Sequence, residues 1–226
     1  MRIVLTRESG RNVELRGWLP GDARVDEVAL TTTHYYDEAA VERELRTQRD
    51  YGSFAALVVT SARSERFLGL AIDALAPDAP VFSVGAATTR ALVRAGVRVR
   101  HEARAGAAGL AGLIARGPVL LIGARVMREE LPAALEARGI AVHRAACYET
   151  RPAVLDEEQT RTVVAADVLV IGAPSAWAAA REFVRPATWV VVPGATTASE
   201  VRAEHGRVIE AWGPELATAL DALERP

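Results

Sequence analysis

Short apolar runs alternate with longer amphipathic stretches along nearly the whole chain. The runs are rich in β-branched residues. They fall at Ile3–Thr6, Val25–Leu30, Ala56–Thr60, Val81–Val84, Val97–Val99, Val119–Ile122, Ile140–Ala145, Val168–Ile171, Trp189–Val192 and Val208–Glu210. Continuous apolar strands separated by helical patterns predict parallel β–α units whose sheets are covered on both faces. Between the runs, Ser64–Leu75 places Phe67, Leu68, Ala71 and Leu75 on one helical face, and Arg128–Arg138 does the same with Leu131, Ala134 and Leu135. The latter pattern closes at Gly139 and the pattern Ala86–Ala95 closes at Gly96, both helix-stop residues. Ten strands are many for one sheet in this length, so two five-stranded sheets are expected.

The rhythm breaks twice, at Thr31-Thr32-Thr33-His34-Tyr35-Tyr36-Asp37 and at Cys147-Tyr148-Glu149-Thr150-Arg151-Pro152. Both segments are extended and polar-aromatic, and Pro152 marks the second exit. Five predicted strands lie between them. The expected organisation is an outer, discontinuous α/β domain of 1–33 plus 153–226, an inserted α/β domain of 37–146, and linkers at 34–36 and 147–152. Two chain crossings side by side make a narrow hinge with variable domain angles, and the interdomain cleft is the expected ligand site.

Composition narrows the function classes. The 226 residues are half apolar and a quarter charged, an ordinary globular balance with enough chain for real cores. A formal net charge of −2 offers no overall basic field for nucleic acid. All 27 basic residues are arginine; with abundant Ala, Val and Gly, this reads as GC-rich coding rather than as many guanidinium anion sites. The single cysteine, Cys147, excludes an internal disulfide, fits a reducing cytosol and reads as a small apolar filler. The N-terminus is charged too soon for a signal peptide, and no apolar run reaches transmembrane length. A soluble cytoplasmic protein without a membrane partner is expected.

Several chemistries lack their residues. No His, Cys and carboxylate cluster has metal-ligand spacing, and His34, His101, His143 and His205 are scattered. A lysine-free chain cannot hold a Gly-Lys-Ser/Thr phosphate loop, and Gly106-Ala107-Ala108-Gly109 lacks the strand–turn context of a dinucleotide fingerprint. Hydroxyls and glycines at strand ends remain. Val84-Gly85-Ala86-Ala87-Thr88 and Pro193-Gly194-Ala195-Thr196-Thr197 repeat one design, a glycine three residues before a threonine where a strand passes into a helix. Such a turn delivers a hydroxyl and free helix N–H groups to one point, where an anion binds readily. Thr60-Ser61-Ala62 and Ser175 follow two further strands, and ligands of open parallel sheets sit at these carboxyl ends. Each hydroxyl alone is equally well a helix cap. Four together in paired halves point to one shared ligand.

In this order, Thr60-Ser61, Val84-Gly85-x-x-Thr88, Tyr148-Glu149-Thr150 and Gly194-x-Thr196-Thr197-Ala198 resemble the motif series of the uroporphyrinogen-III synthase family. Thr6-Arg7 and the strand–loop–helix Leu120–Leu135 fit the same series, so the resemblance covers nearly the whole chain. It implies two similar parallel-sheet α/β domains joined by a two-stranded linker, with substrate in the interdomain cleft. It also implies a cofactor-independent cyclisation: hydroxymethylbilane, a linear tetrapyrrole handed over by its synthase, closes to uroporphyrinogen III with loss of water and inversion of ring D. The family's proposed course ionises the terminal hydroxymethyl group to an azafulvene and passes through a spirocyclic pyrrolenine. The chain is expected to act as a monomer.

The resemblance assigns roles. Arg7, Thr60, Ser61, Ala62, Gly85, Thr88, Arg128, Ser175, Gly194 and Thr197 become substrate-binding positions, suited to an octa-anion by many N–H and hydroxyl donors. Tyr148 matches the family's linker-side tyrosine; its phenol is an ordinary O–H donor placed to assist departure of the hydroxyl. Two departures stand out. Gly172-Ala173 replaces a hydroxyl that many relatives carry, leaving only Ser175 there, and Gly123-Ala124 stands where the family often has Arg-Gly. Either Arg125 or Arg128 replaces that charge, or the loop is simply solvated. The rival reading is a non-catalytic tetrapyrrole- or metabolite-sensing domain on the same fold; no helix-turn-helix follows before Pro226, which favours the enzyme. A more distant rival is a two-lobed binding protein for another polyanion.

Overall fold

The computed structural model describes residues 1–49, 52–103 and 107–224. Of the small-residue loop read at 106–109, Gly106 lies outside the described residues. In chain order the strands are β1 (Arg2–Leu5), β2 (Arg24–Glu27), β3 (Thr31–Tyr35), β4 (Ala56–Val59), β5 (Val81–Ser83), β6 (Val99–Glu102), β7 (Val119–Ala124), β8 (Val142–Pro152), β9 (Val168–Val170), β10 (Trp189–Val192) and β11 (Val208–Glu210). The α-helices are α1 (Val13–Arg16), α2 (Glu38–Arg49), α3 (Leu68–Asp73), α4 (Ala86–Arg94), α5 (Glu130–Glu136), α6 (Glu157–Val164), α7 (Pro174–Ala180), α8 (Ala195–Arg202) and α9 (Glu215–Glu224). Two 3-10 helices, Ala62–Phe67 and Ala107–Leu113, complete the set.

The chain divides into two compact units, Met1–Thr32 with Thr150–Pro226, and Thr33–Glu149. The first carries a five-stranded sheet in the order β11-β10-β9-β1-β2. The second sheet runs β3-β8-β7-β4-β5-β6. Both are α/β sheets dominated by parallel pairs. Apolar residues on both faces explain why the strands read as continuous runs. Ile3, Leu5, Val168, Val170 and Val191 enter one core layer, whereas Val4, Leu169, Ile171, Val190 and Val192 enter the other. In the second unit, Leu57, Val59, Leu120 and Ile122 face one layer, and Ala56, Val58, Val119 and Leu121 face the opposite one. Successive side chains of a strand point to opposite faces, so each strand seals two layers at once.

The helix stops behave as their chemistry requires. Gly96 and Gly139 take φ of +78° and +72°, open to glycine at no steric cost, and the next residue closes back on the helix. Val97 N–H donates to Leu92 C=O at 2.9 Å and Ile140 N–H to Leu135 C=O at 3.1 Å. This geometry corrects one strand. The run Val97–Val99 is expected to start β6, but Val97 is held by the cap of α4, and pairing begins at Val99. The expected pair of five-stranded sheets also changes, because Thr31–Tyr35 is strand β3 and adds a sixth member to the second sheet. Tyr36 N–H to Cys147 C=O at 3.0 Å and Ala153 N–H to Leu30 C=O at 2.9 Å set these two segments antiparallel. The expected helix Ser64–Leu75 divides as well. Its first turn is the 3-10 helix Ala62–Phe67, tightened by Ser64 N–H on Ser61 C=O, and only Leu68–Asp73 is α-helical.

No helix among the described residues is long and apolar enough to cross a membrane.

Candidate active site

Strand order says where a ligand is expected before any side chain is considered. β11-β10-β9-β1-β2 and β6-β5-β4-β7-β8 superpose as patterns, so β9, β10 and β11 answer to β4, β5 and β6, and β1 and β2 to β7 and β8. In each unit the direction of winding reverses between the two central strands, β1 beside β9 and β4 beside β7. A crevice opens at such reversals, beyond the carboxyl ends of the strands.

At each reversal one strand supplies a threonine and the other a small residue. Thr60, just after β4, donates its hydroxyl to Ile122 C=O of β7 at 3.0 Å. Thr6, just after β1, donates to Val170 C=O of β9 at 2.6 Å. The roles are therefore exchanged between equivalent strands. A Cβ added at Gly123 would overlap Thr60 Oγ1, so the hydroxyl fills the place of a side chain there. At Gly172 a Cβ would lie 3.7 Å from Arg7 Cγ and 3.8 Å from the Trp212 ring, so Arg7 packs across that glycine. The two departures noted from sequence, Gly123-Ala124 and Gly172-Ala173, are the small halves of these pairs.

The two glycine turns share one geometry. Gly85 precedes α4 with φ 165° and ψ 165°, and Gly194 precedes α8 with φ 164° and ψ −180°. This is extended backbone that any residue adopts. Nor would a Cβ meet any atom within 4 Å at either position. Room in front of the helix is what each glycine provides. Thr88 and Thr197 occupy the third position of their helices and are 6% and 5% exposed. Ser61 caps the following 3-10 helix by accepting Arg63 N–H at 3.2 Å, and Ala62 is its first residue. Ser175 is exposed on α7, after Ala173 and Pro174.

Tyr148 owes its position to a bulge. Along β7 and β8, Gly123 pairs with Ala146 and Ala124 with Tyr148, so the register skips Cys147. A bulge re-aims the side chain that follows it, and Tyr148 here joins Ala145 and Cys147 in one cluster instead of alternating away. The Tyr148 ring is 4% exposed, 6.0 Å from the Tyr35 ring and beneath the Arg63 guanidinium at 5.9 Å. It lines a cleft of about 470 Å³ with Thr60, Val84, Val126, Arg128 and Leu131. Three of the sequence-derived residues, Thr60, Arg128 and Tyr148, are thus brought to one place. The two candidate arginines after β7 part company. Arg125 donates its backbone N–H to Tyr148 C=O at 2.7 Å and pairs with Glu149 at 3.7 Å, while Glu149 also accepts from Tyr36 Oη at 3.3 Å. Arg128 is exposed at the cleft wall.

Cys147 is fully buried, and burial pushes its thiol up to about 11, as expected of a filler. No group of three His, Cys, Asp or Glu side chains able to hold a metal occurs among the described residues. Sequence reasoning missed Arg63 and Tyr35 at the phenol. The Tyr35 signal was present, since it lies in the same polar-aromatic segment as Tyr36; that of Arg63, two residues after Ser61, was drowned among many arginines.

The family model described as uroporphyrinogen-III synthase HemD matches residues 21–220. Among solved structures, the chain is similar to a mutant uroporphyrinogen III synthase from Thermus thermophilus, with 15% identity and a TM-score of 0.66 over 100% of both chains. It is also similar to the uroporphyrinogen-III synthetase of Helicobacter pylori 26695, with 20% identity and a TM-score of 0.65 over 99% of this chain and 98% of that one. The wild-type Thermus thermophilus protein in a second crystal form matches with 18% identity and a TM-score of 0.52 over 99% and 98%. At these identities the likeness is one of fold. The comparison with curated proteins returned no match.

Proposed function

The chain belongs to the uroporphyrinogen-III synthase family, and from that premise we propose that it closes hydroxymethylbilane to uroporphyrinogen III. Tyr148 carries the proposal within the site. Its phenol donates towards the terminal hydroxymethyl group, so that the oxygen leaves as water and the azafulvene forms. Ring D then attacks through its substituted carbon, gives the spirocyclic intermediate, and re-closes inverted. The observation behind this role is the bulge at Cys147, which brings a buried phenol to a cleft lined by a hydroxyl and an arginine.

Recognition of the substrate's carboxylates falls to groups that gather anions. These are the N–H groups and threonines of the Gly85 and Gly194 turns, the hydroxyls of Ser61 and Ser175, Thr60 with Ala62, and the guanidinium groups of Arg7 and Arg128. The finer architecture we propose is two domains, 1–33 with 153–226 and 37–146, joined by a two-stranded linker of 34–36 and 147–152. We also propose that the reaction needs no cofactor and that the protein works as a cytoplasmic monomer receiving its substrate from the preceding synthase.

The test supplies hydroxymethylbilane and separates the product isomers. Isomer III in excess over the spontaneous isomer I is expected. Isomer I alone rejects the enzyme, and tight tetrapyrrole binding without turnover would establish a sensor on the same fold.

A further inference from the structure

Beside the Gly85 turn lies a chain of polar groups that the proposed function leaves unused. Ser83, fully buried, ends β5; Thr89 sits in the first turn and a half of α4; Glu102 ends β6. Ser83 and Glu102 are partners in the parallel ladder. Thr89 Oγ1 donates to Glu102 Oε2 at 2.5 Å and lies 2.6 Å from Ser83 Oγ. A hydroxyl has one proton, so with that of Thr89 given to the carboxylate, Ser83 must be the donor to Thr89. Gly85 C=O meanwhile receives the Thr89 N–H at 3.0 Å. One side chain thereby ties the end of β5, the start of α4 and the end of β6 together.

The equivalent turn does without this tie. Opposite Val192 in the other ladder stands Glu210, the counterpart of Glu102, and the counterpart of Thr89 is the fully buried Ala198. Glu210 instead pairs with Arg202 on the far end of α8 at 2.6 Å. Since Gly194 holds the same backbone angles as Gly85, the polar chain is not needed to make the turn. Thr88, adjacent to Thr89, is buried in the first turn of α4.

We propose that Glu102 is a positioning residue for carboxylate recognition at the Gly85–Thr88 turn. Through Thr89 it fixes the first turn of α4, so that the Thr88 hydroxyl and the leading N–H groups keep one direction as a charged group arrives. A carboxylate acceptor makes a strong anchor, because a hydrogen bond to an ionised group outweighs a neutral one. The inference rests on the function proposed above.

The experiment uses the whole chain and hydroxymethylbilane as substrate, with kcat and KM read separately. E102A should raise KM about tenfold, the worth of one charge-assisted hydrogen bond, with kcat within about twofold. E102Q, whose amide oxygen still accepts from Thr89, should restore most of the wild-type KM. E210A, at the equivalent position, should leave KM alone. T89V against T89S repeats the test without touching the carboxylate: the first should raise KM and the second should not. Wild-type KM in both E102A and T89V overturns the inference, as does an equal rise in E102A and E210A. A wild-type protein that forms only isomer I overturns the proposed function itself, and this inference with it.

Discussion

The two units build equivalent strand ends from different materials. Beyond β5 the turn is secured by Ser83, Thr89 and Glu102, whereas beyond β10 the same places hold Val192, Ala198 and a glutamate turned away to Arg202. The unit of β4 to β8 also carries the bulge and the phenol of Tyr148. The unit of β1 and β9 instead buries the Thr6 hydroxyl, 1% exposed, and lays Arg7 over Gly172. Equal backbones therefore do not mean equal tasks. In the function proposed above, chemistry falls to one unit and anion-holding to both.

The largest expected effect breaks that division directly. Tyr148→Phe should lower kcat by about 10²–10⁴ while leaving KM close to wild type, because general acid assistance is typically of that size. An unchanged kcat removes Tyr148 from the mechanism. Next come the two glycines. Gly85→Val and Gly194→Val should each raise KM roughly ten- to a hundredfold by covering the helix end, yet leave thermal stability intact, since the backbone there accepts any residue. A rise at only one of them would show that a single turn holds the substrate. Gly123→Ala should cost about 1–3 kcal/mol of stability through its collision with Thr60, measured by denaturant unfolding, and Thr60→Ala in the same chain should recover most of it. Smallest is Arg202→Ala. Its pair with Glu210 is half exposed, so unfolding should shift by no more than about 0.5–1 kcal/mol and KM should stay put.

Local features of this molecule were legible in the sequence, and distant ones were not. Ile3-Val4-Leu5 and Leu57-Val58-Val59 announce buried strands because both faces of each strand are apolar. Thr31-Thr32-Thr33-His34 carries no such signal, because β3 is defined by its partner β8 and not by its own residues. Within the site, glycine and threonine lie three residues apart and are visible at once. The bulge at Cys147 arises from a register that only pairing with β7 defines. Glu102 is 13 residues from Thr89, on a strand read two residues too early, and nothing in their spacing joins them. Composition hid the rest: in a chain whose every basic residue is arginine, Arg63 over the phenol looks like any other.

The threonine that reaches across each reversal of winding has a consequence for how this chain can change. Thr60 occupies the volume that any side chain at position 123 would need, so an arginine cannot enter there while Thr60 keeps its bond to Ile122. The constraint runs one way: position 123 can take a side chain only after Thr60 has given way, whereas Thr60 can go first at the cost of its bond to Ile122.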